Sequence, residues 1–144
     1  MTGVQTCALP ISSSIAGPAA AGIPVTHRTI ARTLTTVTGT CGDGADAPEW
    51  PALAPLLKAG GTVVVLMGVT NRRRYVELLL LAGVRSDMPV AVIERATCDD
   101  QRIINTTLAA LPSSTVTNPA TIVIGEVVRV GSEINALKTV SARR

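Results

Sequence analysis

The heptapeptide Gly22–Arg28, GIPVTHR, sets a conformational break directly before a histidine and an arginine. A guanidinium presented in this way can grip a carboxylate through two parallel hydrogen bonds, which is the chemistry Arg28 offers. The competing role for a lone arginine is a pair with a nearby acid, or contact with solvent. His27 is the only histidine of the chain, so a histidine-based metal cluster is excluded; it can meet a ligand or make a structural hydrogen bond. Met67 and Gly68, in LMGV, stand at the carboxyl end of the most apolar run, and ligands of open α/β sheets gather at such ends. Read blandly, they are a core methionine and a turn that starts a helix. Ala96, after PVAVIER, has a side chain small enough to let a ligand approach the backbone closely.

Other constellations offer less. Cys7, Cys41 and Cys98 form no CxxC motif. Cys41 and Cys98 with His27 make three nitrogen or sulfur ligands, one short of a structural zinc site, so they read as ordinary reduced thiols and no metal is expected. GTCGDG at 39–44 lacks the lysine and hydroxyl residue of a phosphate loop and the spacing of GxGxxG. Arg72, Arg73 and Arg74 point about 100° apart on a helix, as a solvated helix surface would. Asp99 and Asp100 are expected to start an element or face water.

These residues need a scaffold. Thr33–Thr38 is β-branched and reads as a strand, 39–48 as a loop, and Glu49–Ala59 as a helix ended by Gly60 and Gly61. Thr62–Met67, TVVVLM, is a strand buried on both faces. Asn71 is placed to cap the next helix, where Val76, Leu79 and Leu80 keep helical spacing and Gly83 ends it. Pro89–Glu94 is a further strand, Gln101–Leu108 is ambiguous between strand and helix, and Thr121–Val128 reads as a last buried strand. Ser12–Ala21 reads as a short helix broken near Pro18, and Gly131–Arg144 as a polar tail with room for a short helix. Strands alternating with helices make a wound α/β layer.

Composition narrows the function classes. Apolar residues make up 47% of the chain, while Trp50 and Tyr75 are its only aromatic residues. So few stacking platforms weaken any single-stranded nucleic-acid role. The net charge of +3 is scattered, and it suits a polyanionic small molecule without demanding nucleic acid. Met1–Ile11, MTGVQTCALPI, resembles a translated sequencing adapter and is set aside. It lacks the basic n-region of a secretory signal, and Pro10, Pro18 and Pro24 interrupt any spanning helix. The remaining 133 residues suffice for one domain with a real core, and no membrane segment is expected.

GIPVTHR, LMGV at 66–69, PVAVIERAT at 89–97 and IVIGEVV at 122–128, in this order, resemble the second half of the uroporphyrinogen-III C-methyltransferases, within the tetrapyrrole methylase family. The resemblance runs from about Ser12 to Val128. It implies an α/β fold, namely the C-terminal domain of such an enzyme, a mixed sheet flanked by helices, with the N-terminal domain missing. Residues 12–28 would then end the first domain and link it to the second, 29–129 would form the methylase domain, and 130–144 a tail. The resemblance further implies S-adenosyl-L-methionine as methyl donor, contacted by Ser12, Ser13, Met67 and Ala96, and uroporphyrinogen III as substrate, gripped by Arg28 and His27. The reaction would be methylation at C2 and C7 to give precorrin-2, for sirohaem or cobalamin, in the cytoplasm and by a homodimer of the full-length enzyme. Thr40 stands where many members have histidine. Because the catalytic groups would belong to the missing domain, the chain alone is expected to be inactive. Another precorrin methyltransferase, or a non-catalytic dimerising half-domain, are the alternatives.

Overall fold

The computed structural model describes residues 12–40 and 50–141, with side chains to 137. The expectations for Met1–Ile11, for Cys41 and for most of the loop at 39–48 lie outside the described residues. The elements run α1 (Ser13–Ala20), β1 (Leu34–Thr38), α2 (Trp50–Lys58), β2 (Thr62–Leu66), α3 (Arg72–Leu81), β3 (Pro89–Glu94), β4 (Arg102–Thr107), β5 (Ala120–Ile124) and α4 (Val127–Ser141), with a 3-10 turn at Leu111–Ser113. The sheet order is β1-β2-β5-β3-β4. Only β1 and β2 pair in parallel; β5 enters between β2 and β3, antiparallel to both, and β4 closes the edge antiparallel to β3.

Both faces of the three central strands are covered, which is why their sequences are near-continuous apolar runs instead of alternating ones. Val63, Val65, Val90, Val92, Ile122 and Ile124 look to one face, where they meet Leu53 and Leu57 of α2 and Tyr75, Val76 and Leu79 of α3. The rings of Trp50 and Tyr75 stack there with centroids 4.3 Å apart. Val64, Ala91, Ile93 and Val123 look the other way, beneath Ala21, Ile23 and Ala31 and beneath Val127 and Val128 of α4. Side chains that alternate along a strand thus divide one sheet between two cores.

Three helices stop in the same manner. Past α1, the Ile23 N–H donates to Pro18 O (2.9 Å) and the Gly22 N–H to Ala19 O (3.0 Å); Gly60 and Gly83 close α2 and α3 with equivalent bonds. This double-bonded cap needs a left-handed residue, and Gly22, Gly60 and Gly83 adopt φ of 69°, 87° and 82°.

Several expectations need correction. α1 is not broken at Pro18 but continues to Ala20, because proline forfeits only one N–H bond this close to the end and is itself buried. The last strand stops at Ile124. Val127 and Val128 are apolar because they form the buried stripe of α4, a distinction that a short apolar run does not reveal by periodicity. The short helix allowed for in the polar tail is longer than expected: it is α4, which starts at Val127, is helical to Ser141 and is tied back where Asn135 Nδ2 donates to Ala21 O at 2.9 Å. Gln101–Leu108 resolves as the edge strand β4. Asn71 makes no side-chain cap; its Nδ2 donates to Gly39 O at 3.1 Å and joins the ends of β1 and β2. Arg72 leaves the solvated face that Arg73 and Arg74 share, and donates to Val69 O (2.7 Å) and Ser114 O (3.2 Å). Among the described residues no helix is long and apolar enough to cross a membrane.

Candidate functional site

A cavity of about 410 Å³ opens where three strands end together and α1 begins. Its walls are Leu66 and Met67 at the exit of β2, Ile93 with Arg95, Ala96 and Cys98 at the exit of β3, Pro119–Thr121 at the entrance of β5, and Ser13. The register explains this convergence: Thr121 pairs with Leu66 on one side and with Ile93 on the other. The antiparallel course of β5 therefore brings the start of one strand to the carboxyl ends of its neighbours. The volume falls within the usual range for small-molecule sites.

The rim is conformationally strained. Met67, Arg95 and Thr97, with φ of 51°, 45° and 71°, are the non-glycine residues of positive φ among those described; Met67 and Arg95 line the cavity, and Thr97 stands between its lining residues Ala96 and Cys98. Each such residue costs roughly 1–3 kcal/mol, which surrounding contacts must offset. Here the Arg95 N–H donates to Pro119 O (3.0 Å), Arg95 Nε lies 2.9 Å from Asp100 Oδ2, and the Thr97 N–H donates to Gln101 Oε1 (2.7 Å). Gln101 Nε2 in turn reaches Ala20 O on α1 at 3.4 Å. Asp100 thus partners an arginine of the rim, besides being exposed to water. Clustered strain at a cavity mouth is a mark of functional sites.

Of the residues singled out in the sequence, Ser13, Met67 and Ala96 meet in this one cavity. Ser12 is one position away and uses its hydroxyl as the α1 cap, 2.8 Å from Ser14 Oγ and accepting from the Ser14 N–H at 3.3 Å. His27 and Arg28 belong to a turn closed by the His27–Ala31 bridge, and neither lines the cavity. His27 Nδ1 is 3.2 Å from Thr29 Oγ1, and Arg28 is exposed at the turn's tip. Among the described residues, no three His, Cys, Asp or Glu side chains group to hold a metal ion.

Sequence reasoning missed Pro119, Ala120 and Thr121. The rule that ligands gather at carboxyl ends of strands points to Met67 and Ala96, but it points away from the entrance of a strand that runs backwards. It also missed Glu94, the charged member of the otherwise apolar β3. The Glu94 side chain is only 2% exposed, with Oε2 at 2.8 Å from Arg102 Nε, and Oε1 at 2.6 Å from the Thr117 N and 3.2 Å from Arg102 Nη2. Burial drives its carboxyl upward, but the Thr117 N–H and the Arg102 guanidinium outweigh burial and hold it below the usual carboxylate range. A depressed folded-state value means that the unfolded chain binds the proton first on acidification. The stability Glu94 contributes is therefore complete above about pH 4.3 and lost as pH falls through the lower, folded value. Thermal melts below pH 5 should show a fall in midpoint that is shallower in Glu94→Gln; identical slopes would refute the assignment.

Comparison with known proteins places this geometry. Residues 6–112 match the family model for tetrapyrrole (corrin/porphyrin) methylases. The chain is 42% identical over 135 residues to the S-adenosyl-L-methionine-dependent uroporphyrinogen III methyltransferase of Methanosarcina barkeri, covering 90% of this chain and 52% of that enzyme. It is 39% identical over 143 residues to the siroheme synthase of Sodalis glossinidius, covering 94% of this chain and 30% of that protein. The chain therefore spans about half the length of the methyltransferase and less than a third of the synthase. Uroporphyrin-III C-methyl transferase from Thermus thermophilus, solved in complex with S-adenyl homocysteine, superposes with a TM-score of 0.68 at 34% identity, over 77% of this chain and 49% of that one. The five-stranded mixed sheet flanked by helices is shared with these solved structures.

Proposed function

Since the chain belongs to the tetrapyrrole methylases, we propose that its strand-end cavity holds S-adenosyl-L-methionine for the C-methylation of uroporphyrinogen III at C2 and C7, giving precorrin-2. The observation that carries this reading is the meeting of Ser13, Met67 and Ala96 in a single cavity of suitable size. Three segments far apart in sequence converge there, and the relative from Thermus thermophilus was solved with the demethylated donor. The fit is chemical as well as spatial. Leu66, Ile93, Ala96 and Ala120 give an apolar wall for a nucleoside, while the Ser13 and Thr121 hydroxyls and the peptide groups of the strained rim give polar contacts.

When bound, S-adenosyl-L-methionine supplies an electrophilic sulfonium methyl to an electron-rich pyrrole carbon. The chain's own part is alignment. Met67 and Ala96 hold their backbones against the donor, Ser13 anchors it at the start of α1, and the apolar walls exclude water. Arg28, exposed in the turn after Pro24, would grip a carboxylate of the substrate, with His27 beside it. Residues 12–28 form the passage into the methylase domain at 29–129, and the full-length enzyme works as a cytoplasmic homodimer. The proton released from the pyrrole carbon must be received by a base. Among the described residues that line the cavity are hydroxyls, a thiol and an arginine paired with Asp100; the base is expected in the other domain of the full-length enzyme, so the 144-residue chain is expected to bind the donor without turnover.

Calorimetric titration of S-adenosylhomocysteine into the 144-residue chain tests the reading. Saturable one-to-one binding is expected. Absence of binding up to about 1 mM ligand, equivalent to about −4 kcal/mol, would refute it.

A further inference from the structure

The segment Ser114–Pro119 delivers Pro119, Ala120 and Thr121 to the cavity, and its backbone is held at four places. Arg72 Nη2 donates to Ser114 O (3.2 Å), Arg102 Nη2 donates to Thr115 O (3.0 Å), the Thr117 N–H donates to Glu94 Oε1 (2.6 Å), and Pro119 O accepts from the Arg95 N–H (3.0 Å). Two of these holds depend on one ion pair. Glu94 takes the Thr117 N–H directly and orients Arg102, through its fork, towards Thr115 O.

Glu94 does not face the cavity. It shares a sheet face with Val90 and Val92, whereas Ile93 and Thr121 lie on the face where the cavity opens. Yet Glu94 immediately precedes Arg95 and Ala96, which form one wall, and it grips the segment that runs into Pro119 and Ala120 of the wall beside them, where Glu94 itself pairs with Ala120 across the sheet. A charged side chain this buried is costly unless fully paired. The β3–β5 ladder already sets the distance between these two walls, so the particular consequence of the pair is the fixed course of Ser114–Thr117 as it enters Pro119.

We propose that Glu94 and Arg102 are positioning residues of the cavity: from the far face of the sheet they clamp Ser114–Pro119 and so set the affinity for the adenosyl ligand without touching it. This inference rests on the cavity being the site of S-adenosyl-L-methionine. A ligand that rests on Pro119 and Ala120 gains full contact only while the segment entering them is held, and a freed segment must be ordered again at each binding event.

Titration of S-adenosylhomocysteine into the full chain, Arg102→Met and Glu94→Gln, at a temperature well below all three melting points, decides the matter. Arg102 is half-exposed on an edge strand, so its replacement should fold. Both variants are expected to bind about tenfold more weakly, the factor that about 1.4 kcal/mol carries. Hydrogen exchange at the Arg95 and Thr117 amides should accelerate in Arg102→Met by more than at the core amides of β2, whereas a role confined to global stability would raise both alike. Wild-type binding with Arg102→Met within about twofold of it would overturn the clamp while leaving the cofactor site intact. Failure of the wild-type chain to bind at all would overturn the cofactor reading, and this inference with it.

Discussion

An Ala96→Trp chain should bind S-adenosylhomocysteine at least about a hundredfold more weakly than the wild type, a loss of about 2.8 kcal/mol, while its melting temperature changes little. Ala96 lines the cavity and is only partly buried. An indole there would project into about 410 Å³ that the ligand requires, and it would do so from the turn after β3, at the margin of the second core. Overpacking within a core strains the fold, whereas filling an open cavity mainly excludes the ligand. The position is also hard to relieve by backbone movement, because Arg95 and Thr97 on either side are fixed in left-handed conformations by bonds to Pro119 and Gln101. Calorimetry together with a thermal melt separates the outcomes. Retained affinity in a folded variant would show that the ligand sits elsewhere.

Gly39→Ala should be the most damaging single methyl group. A Cβ at Gly39 would stand 2.4 Å from the Gly68 Cα and 3.1 Å from the Met67 O, and both obstacles are backbone atoms that cannot rotate away. The contact arises because β1 and β2 run parallel in register, Thr38 against Leu66, and the Gly39 N–H then donates to Leu66 O at 2.7 Å. Gly39 O also accepts from Asn71, so the chain is pinned from two sides. Strain of this kind costs roughly 3 kcal/mol, which for a domain of this size lowers the melting temperature by about 10 °C. Because the displaced backbone includes Met67, affinity for S-adenosylhomocysteine should fall as well. Thermal unfolding of Gly39→Ala measures the first effect, and a shift under about 2 °C would show that the two strand ends can part freely.

Much of this architecture follows from the residues alone. TVVVLM, PVAVIE and ATIVI are too apolar and too β-branched for exposure, so they become central strands, and glycines at 22, 60 and 83 stop the helices because only glycine adopts the left-handed cap without cost. GIPVTHR, LMGV and ERAT carry the family resemblance by themselves, and the residues they mark, Met67 and Ala96, stand at one cavity together with Ser13. Local sequence does not encode pairing across the sheet. That β5 enters between β2 and β3 in the reverse direction is decided by which apolar faces can be buried together, and this alone brings Pro119–Thr121 to the site. The same limit explains Val127 and Val128, whose apolar character fits a strand or a helix equally until α4 is seen lying on the sheet. Glu94 reads in sequence as an ordinary charge ending a strand. Only the packing of Ser114–Pro119 over it, with Arg102 alongside, turns it into a buried pair, because burial and hydrogen-bond geometry are properties of segments meeting in space.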